Sequence, residues 1–236
     1  MKKFLLTALL VTALASTSFA FPELQLYIDG ATYDAGSQTW VASGQNIDLY
    51  VIANMDLDDV LVSIALDQNE YTSSMNPDGI ASATFDGSTV INDWTWGDAP
   101  LATVDPDPNN LKDLAGHGVY PSWYAEFNAG NFRVADGGGI GDVEPINGTY
   151  FDPSAGYLDP ANTNQLGQFK KFSVSLAGAM SFHFDAYTLN EDGSIQYFAP
   201  FSHDAGTTTT HTPEPATMLL FGLGLAGAGV YRRFKK

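Results

Sequence analysis

One short stretch of the sequence has carboxylate and amide oxygens at a spacing that suits a hard cation. Asp105, Asp107, Asn109 and Asp113 stand at the first, third, fifth and ninth positions of a loop. A calcium-binding EF-hand takes ligands from these positions. However, two prolines stiffen the stretch, an asparagine replaces the glycine at position six, and a glycine replaces the bidentate glutamate. An irregular calcium loop and a solvated acidic turn both remain open, and the solvated turn is favoured.

Three histidines stand near aspartates in a pattern that permits a transition-metal site. His117, His183 and His203 are the candidates, with Asp185 or Asp204 as carboxylate partners, because imidazole and carboxylate groups both suit such ions. The spacing alone gives no support for a metal. His183 lies between two phenylalanines, so strand alternation predicts that it faces away from them and is exposed. Structural roles are favoured for all three histidines.

Two tryptophans are candidates for contact with a glycan. Trp94 and Trp96 are two residues apart, so in a strand both would project from the same face. Paired aromatic rings can stack on sugar rings, but packing within a core explains them equally well. Two exposed carboxylates could also cleave a glycoside, although a chain with 27 acidic residues offers such pairs by chance.

The sequence lacks the common motifs of catalysis. It contains no cysteine, which excludes a disulfide framework, a thiolate metal site and a cysteine nucleophile. It has no Gly-x-Ser-x-Gly elbow, no His-Glu-x-x-His pair and no phosphate-binding Gly-x-x-x-x-Gly-Lys loop. We therefore expect a protein that is not an enzyme. The sequence identifies no cofactor with certainty, and calcium is the one candidate.

The charge balance excludes another class of partner. The chain has 27 acidic and 10 basic residues, for a net charge of -17. Six of the bases lie in the two tails, so the region between them is more acidic than the total indicates. Such a surface repels nucleic acid and anionic lipid, and no nucleic-acid partner is expected.

The elements that must position these residues are predicted to be strands. Apolar residues alternate with polar ones in four segments, which begin at Leu24, Ile47, Val60 and Phe172. Asp-Gly and Asn-Gly pairs supply turns between such segments, and no segment keeps a helical period. We predict an all-β, antiparallel two-sheet sandwich of the jelly-roll or immunoglobulin-like type. It covers residues 21–204, and a threonine-rich linker follows at 205–212.

The first twenty residues are predicted to be a secretory signal peptide. Lys2 and Lys3 precede a mostly apolar run, and the small residues Ser18 and Ala20 stand where signal peptidase cleaves. The mature chain should begin near Phe21. Signal peptidase and the secretion machinery are therefore expected partners.

The last segment, 213–236, combines three features in order. Pro213, Glu214 and Pro215 precede an apolar stretch at 216–231, and Arg232 and Arg233 follow it. As a helix, this stretch would be about 24 Å long, somewhat short of the hydrocarbon core, and could cross the membrane with its basic end in the cytoplasm.

This order closely resembles the PEP-CTERM protein-sorting signal of Gram-negative bacteria. The resemblance implies that an exosortase recognises and removes the tail, in a cell that also makes extracellular polysaccharide. It implies that the protein is held transiently at the inner membrane and is then displayed at the cell surface or in the extracellular matrix.

Parts of the body resemble, less specifically, the exported choice-of-anchor families, with choice-of-anchor N as the nearest. The similar segments are 22–27, 48–51, 117–121, 126–127 and 200–204. The resemblance implies a displayed domain and brings no known activity.

The leading functional expectation is a noncatalytic surface or matrix protein with a structural or adhesive role in an exopolysaccharide-rich envelope. The alternative is a carbohydrate-binding module with aromatic platforms and calcium. A secreted glycan-active hydrolase is the third and least favoured hypothesis.

Overall fold

The structure is a computed structural model that describes residues 22–101, 114, 118–141, 143, 166–200 and 203–208. Within these ranges the chain forms β-strands and a 3-10 turn at Val134–Asp136. The strands are β1 Leu24–Ile28, β2 Thr32–Asp34, β3 Thr39–Ser43, β4 Asn46–Ala53, β5 Leu57–Leu66, β6 Ser82–Phe85, β7 Thr89–Ile91, β8 Thr95–Gly97, β9 Ser122–Phe132, β10 Gly138–Gly139, β11 Leu166–Ala177, β12 Ser181–Leu189, β13 Ile195–Phe198 and β14 Asp204–Thr208.

The strands form two sheets, which confirms the predicted sandwich. One sheet has the order β1-β4-β11-β6-β7, and β10 adds to β11. The other has the order β2-β3-β14-β12-β5-β9-β8, and β13 adds to β12. The described pairs are antiparallel except β14 with β3, which run parallel. The second sheet is therefore mixed at one position, where β14, late in the chain, lies beside the early strand β3.

The main core is made by the inward faces of the long strands. Alternation puts Leu24, Leu26 and Ile28 of β1 in this core, and the same period puts Phe182 and Phe184 of β12 there. These side chains are almost fully buried. The apolar period in the sequence therefore sets which face of each strand is inward.

The opposite face of β1 is also covered, although the alternation of apolar and polar residues predicts that only one face of the strand is buried. All five residues of β1 are buried. Tyr27 packs in a second apolar cluster with Trp40, Ile140 and Val143. The amide of Gln25 joins this cover to the strand, because it donates to the Gly141 carbonyl and accepts from the Val143 N–H.

The outer face of the eight-stranded sheet carries a third apolar cluster. Ala65 of β5, Tyr124 of β9 and Tyr187 of β12 pack there with Tyr120 and Leu114. This cover matters for function because it borders the polar residues described below.

The predicted threonine-rich linker requires a correction. Residues 204–208 form β14, in which Ala205 and Thr207 are 0% and 2% exposed. Pairing with β12 and β3 on both sides makes this segment part of the sheet, so the domain continues to Thr208. Threonine favours strands, and a threonine run therefore does not by itself indicate a spacer.

Several predicted segments lie outside the described residues. These are the signal peptide, residues 209–212, the sorting segment 213–236 with its helix at 216–231, and the calcium candidates Asp105, Asp107, Asn109 and Asp113. No helix within the described ranges has the length and apolarity needed to cross a membrane.

Candidate functional site

Strand β12 carries polar side chains on its outer face. Phe182 and Phe184 point into the core, so His183 and Asp185, which alternate with them, face the other way. The sequence predicts this orientation for His183. It does not predict the burial, because the His183 side chain is only 18% exposed.

The neighbouring strand β14 brings a second aspartate to the same place. The register pairs His183 with Gly206 and Phe184 with Ala205. Asp204 precedes Ala205, so it lies beside Asp185 on the outer face. Asp204, which lies 19 positions after Asp185 in the chain, is thus brought to His183 and Asp185 by strand pairing.

The three side chains converge closely. His183 Nε2 lies 3.3 Å from Asp185 Oδ1 and 3.9 Å from Asp204 Oδ2. One ligand atom from each residue lies within 4.8 Å of the other two. Asp185 and Asp204 are 2% and 0% exposed. We call this group the His183 cluster.

A hydrogen-bonded chain holds one of the aspartates in place. The Tyr120 hydroxyl donates to Asp185 Oδ2 at 2.8 Å. Since that proton is used, the Ser63 hydroxyl, 2.5 Å away, donates to the Tyr120 oxygen. Burial, followed by the negative charge of Asp185, raises the pKa of Tyr120 well above the usual tyrosine value. Tyr120 therefore acts as a hydrogen-bond donor at physiological pH.

A groove of about 410 Å³ runs over the His183 side of the cluster. His183 lines it together with polar residues from its own strand and from three other segments, whereas the buried Asp185 and Asp204 are not among the lining residues. The polar lining residues include Ser37, Thr39, Asp67, Gln68, Asn69, Ser181 and Thr208. Because both aspartates are buried, this pair does not supply the exposed acid and base of a glycoside hydrolase.

The other two histidines differ from His183. His203 is 4% exposed, and its backbone N–H closes a turn onto the Pro200 carbonyl at 2.7 Å. It is not one of the three residues of the cluster. His117 lies outside the described residues. Of the predicted metal candidates, the structure therefore brings together His183, Asp185 and Asp204.

Tyr120 and Ser63 were not anticipated from the sequence. Tyr120 lies in the segment before β9 and Ser63 lies in β5, and no local pattern in the sequence links either residue to His183. The only sequence signal was the His-x-Asp spacing of His183 and Asp185, which in a strand places both on one face.

The predicted tryptophan pair does not share an open face. Trp94 is 5% exposed, and its indole N–H donates to the Ala81 carbonyl at 3.0 Å. It precedes β8, so strand alternation does not govern its direction. Trp96 is half-buried and makes an edge contact with Trp123, with ring centroids 5.8 Å apart. The prediction that both tryptophans contact a glycan is therefore wrong for Trp94, because its ring is buried by packing within the domain.

Comparison with known families identifies the end of the chain. Residues 211–236 match the PEP-CTERM protein-sorting motif. No curated protein and no solved structure is significantly similar to the chain. The choice-of-anchor N resemblance of the body finds no support. The matched motif implies that this is an exported protein, sorted to the cell surface by an exosortase.

Proposed function

We propose that the chain is a noncatalytic surface or extracellular-matrix protein with a structural or adhesive role in an exopolysaccharide-rich envelope. An exosortase processes it through Pro213, Glu214, Pro215, Arg232 and Arg233 of its tail, after a transient stay in the inner membrane of a Gram-negative bacterium. The observation that carries this proposal is the sorting motif at 211–236, placed shortly after a β-sandwich that ends at Thr208.

The bonding of several acidic side chains supports a structural role. Asp78 accepts a hydrogen bond from the backbone N–H of Trp94 at 2.8 Å, and Asp86 accepts one from the backbone N–H of Ser173 at 2.9 Å. Glu126 accepts from the Leu101 N–H at 2.7 Å. Asp86 and Glu126 thus each take part in a bond between a loop and a strand that is distant in the sequence, and Asp78 joins two loops, so all three contribute to the order of the domain.

Sorting is tested by replacing Pro213, Glu214 and Pro215 with alanine in the native host. We expect the variant to fold and to remain in the inner-membrane fraction, since the exosortase no longer recognises it. The control replaces three exposed residues of the sandwich, Ser73, Ser74 and Met75, and should reach the surface normally. Normal surface display of the tail variant would refute the sorting assignment.

The role of the domain is tested with exopolysaccharide from the same host. A structural or adhesive protein should sediment with the polymer and leave its chain length and number of reducing ends unchanged. Release of reducing ends would show a hydrolase instead. Failure to sediment with the polymer, together with normal matrix formation in a deletion strain, would contradict the matrix role.

A further inference from the structure

We propose that His183, Asp185 and Asp204 bind one divalent transition-metal ion of the Zn²⁺ type, held between β12 and β14. The inference concerns a site within the sandwich and does not depend on how the tail is sorted. It rests on the ligand types, on their separations and on the burial of the two carboxylates.

The ligand separations suit such an ion. In a tetrahedral zinc site with bonds of about 2.0 to 2.2 Å, neighbouring ligand atoms are about 3.3 to 3.6 Å apart. His183 Nε2 is 3.3 Å from Asp185 Oδ1 and 3.9 Å from Asp204 Oδ2. The first separation lies in this range, and the second exceeds it by a few tenths of an ångström, a difference that side-chain rotation can close; all three ligand atoms lie within 4.8 Å of one another.

The charge of the His183 cluster favours a cation. Two carboxylates that lie close together out of water repel each other, and a neutral imidazole supplies no balancing charge. A divalent ion balances both where their oxygens converge. The described lysine and arginine side chains bond elsewhere: Arg133 to Asp58, Lys171 to Asp48, and Lys170 to the Ala129 carbonyl.

The hydrogen bond from Tyr120 orients one ligand. Because the Tyr120 hydroxyl holds Asp185 Oδ2, the other oxygen, Oδ1, is the one that faces His183. Hydrogen bonds of this kind fix the direction of a metal-binding carboxylate and contribute to affinity. Tyr120 is therefore a positioning residue for the site.

The groove reaches the cluster at His183. His183 lines the groove and is partly exposed, whereas Asp185 and Asp204 are buried, so the histidine is the accessible edge of the cluster. Gly206 lies beside the ring: a Cβ built there would be 3.9 Å from His183 Nδ1. Nε2 must give up any proton it carries, to Nδ1 or to solvent, before it binds the ion.

The ligand set also separates this ion from calcium. Ca²⁺ takes six to eight oxygen ligands, and Mg²⁺ requires oxygen ligands in near-ideal octahedral geometry. The cluster offers one imidazole nitrogen and two carboxylates, which suits zinc and its neighbours in the first transition row.

The experiment titrates Zn²⁺ into the full chain after EDTA treatment and dialysis, and follows binding by calorimetry and the melting temperature by circular dichroism. We expect one tight site per chain and a rise in melting temperature that Mg²⁺ at equal concentration does not produce. His183→Gln and Asp204→Asn should each weaken Zn²⁺ affinity at least tenfold. Co²⁺ in place of Zn²⁺ should give visible absorption bands that are lost in His183→Gln.

Asp67→Asn is the matched control, because Asp67 lines the same groove outside the cluster. It should bind Zn²⁺ as the unmodified chain does. If Asp204→Asn fails to fold, His183→Gln decides, since that side chain faces the groove. Equal shifts from Zn²⁺ and Mg²⁺, or Zn²⁺ affinity that survives His183→Gln, would overturn the proposal.

Discussion

Trp94 and Trp96 have the same chemistry and different environments. Trp94 is buried, donates a hydrogen bond to Ala81 and packs near Phe182. Trp96 is half-buried against Trp123. We expect Trp94→Ala to lower the free energy of unfolding by about 3 to 5 kcal/mol, because it leaves a cavity. Trp96→Ala should cost less, because part of its ring already contacts water.

Urea denaturation followed by circular dichroism measures both changes without depending on tryptophan fluorescence. Trp94→Phe should recover part of the loss, since it refills much of the volume but leaves the Ala81 carbonyl without its donor. Equal costs for Trp94→Ala and Trp96→Ala would contradict the assignment of Trp94 to the core.

Tyr124 makes the alkaline side of the stability profile testable. Burial raises its pKa, and so do the nearby charges of Glu126 and Asp98. The unfolded chain ionises tyrosine near pH 10, whereas the folded chain keeps this proton to higher pH. Stability should therefore fall as pH rises above about 10, since the unfolded state then binds fewer protons.

Tyr124→Phe removes this contribution. It should lower stability at pH 9, because the hydrogen bond to the Asp98 carbonyl is lost. It should also make the further loss between pH 9 and pH 11 smaller than in the unmodified chain. Urea midpoints at the two pH values measure both effects, and an unchanged loss would show that Tyr124 does not control it.

At the scale of strands, the sequence predicts the elements whose apolar period is clear. The alternating segments that begin at Leu24, Ile47, Val60 and Phe172 lie in β1, β4, β5 and β11. Strand β14 was not predicted, because its partner β3 lies far earlier in the chain and its own residues are mostly small or hydroxylated. Pairing partners are set by the whole fold, whereas periodicity is local.

The same limit applies to the candidate site. Alternation placed His183 and Asp185 on one face, opposite the phenylalanines. The addition of Asp204 required the register between β12 and β14, and the bond from Tyr120 required the segment that covers the sheet. Neither can be obtained from spacing along one strand.

The turn between β11 and β12, which joins the two sheets, depends on a glycine for two separate reasons. Gly178 has a φ of +81°, and a Cβ there would lie 2.0 Å from the Ile80 carbonyl oxygen. Gly178→Ala should therefore destabilise the domain by more than the ~1 kcal/mol expected from backbone strain alone.

Gly30 is the matched control. Its φ is +71°, but a Cβ there meets nothing within 4 Å, so Gly30→Ala has the strain without the clash. Thermal unfolding of the two variants separates these effects. Similar losses in both would show that the contact with Ile80 is relieved at little cost.

At the scale of the whole molecule, excess negative charge opposes the compact state. The chain carries a net charge of -17. Added NaCl should raise the melting temperature, mainly between about 10 and 150 mM, where the screening length falls from about 30 to 8 Å. KCl at equal concentration should act in the same way. A melting temperature that stays constant or falls over this range would show that self-repulsion is not significant.

The position of β14 has a mechanical consequence. This strand is held by β3 on one side and by β12 on the other, and the chain leaves it at Thr208 toward the sorting segment. Hydrogen bonds between strands run across the strand direction. A pull on the tail along β14 therefore loads the bonds of both ladders together, in shear, instead of opening them one at a time. A domain tethered from this strand would resist extension by flow, as a protein fixed at a cell surface must.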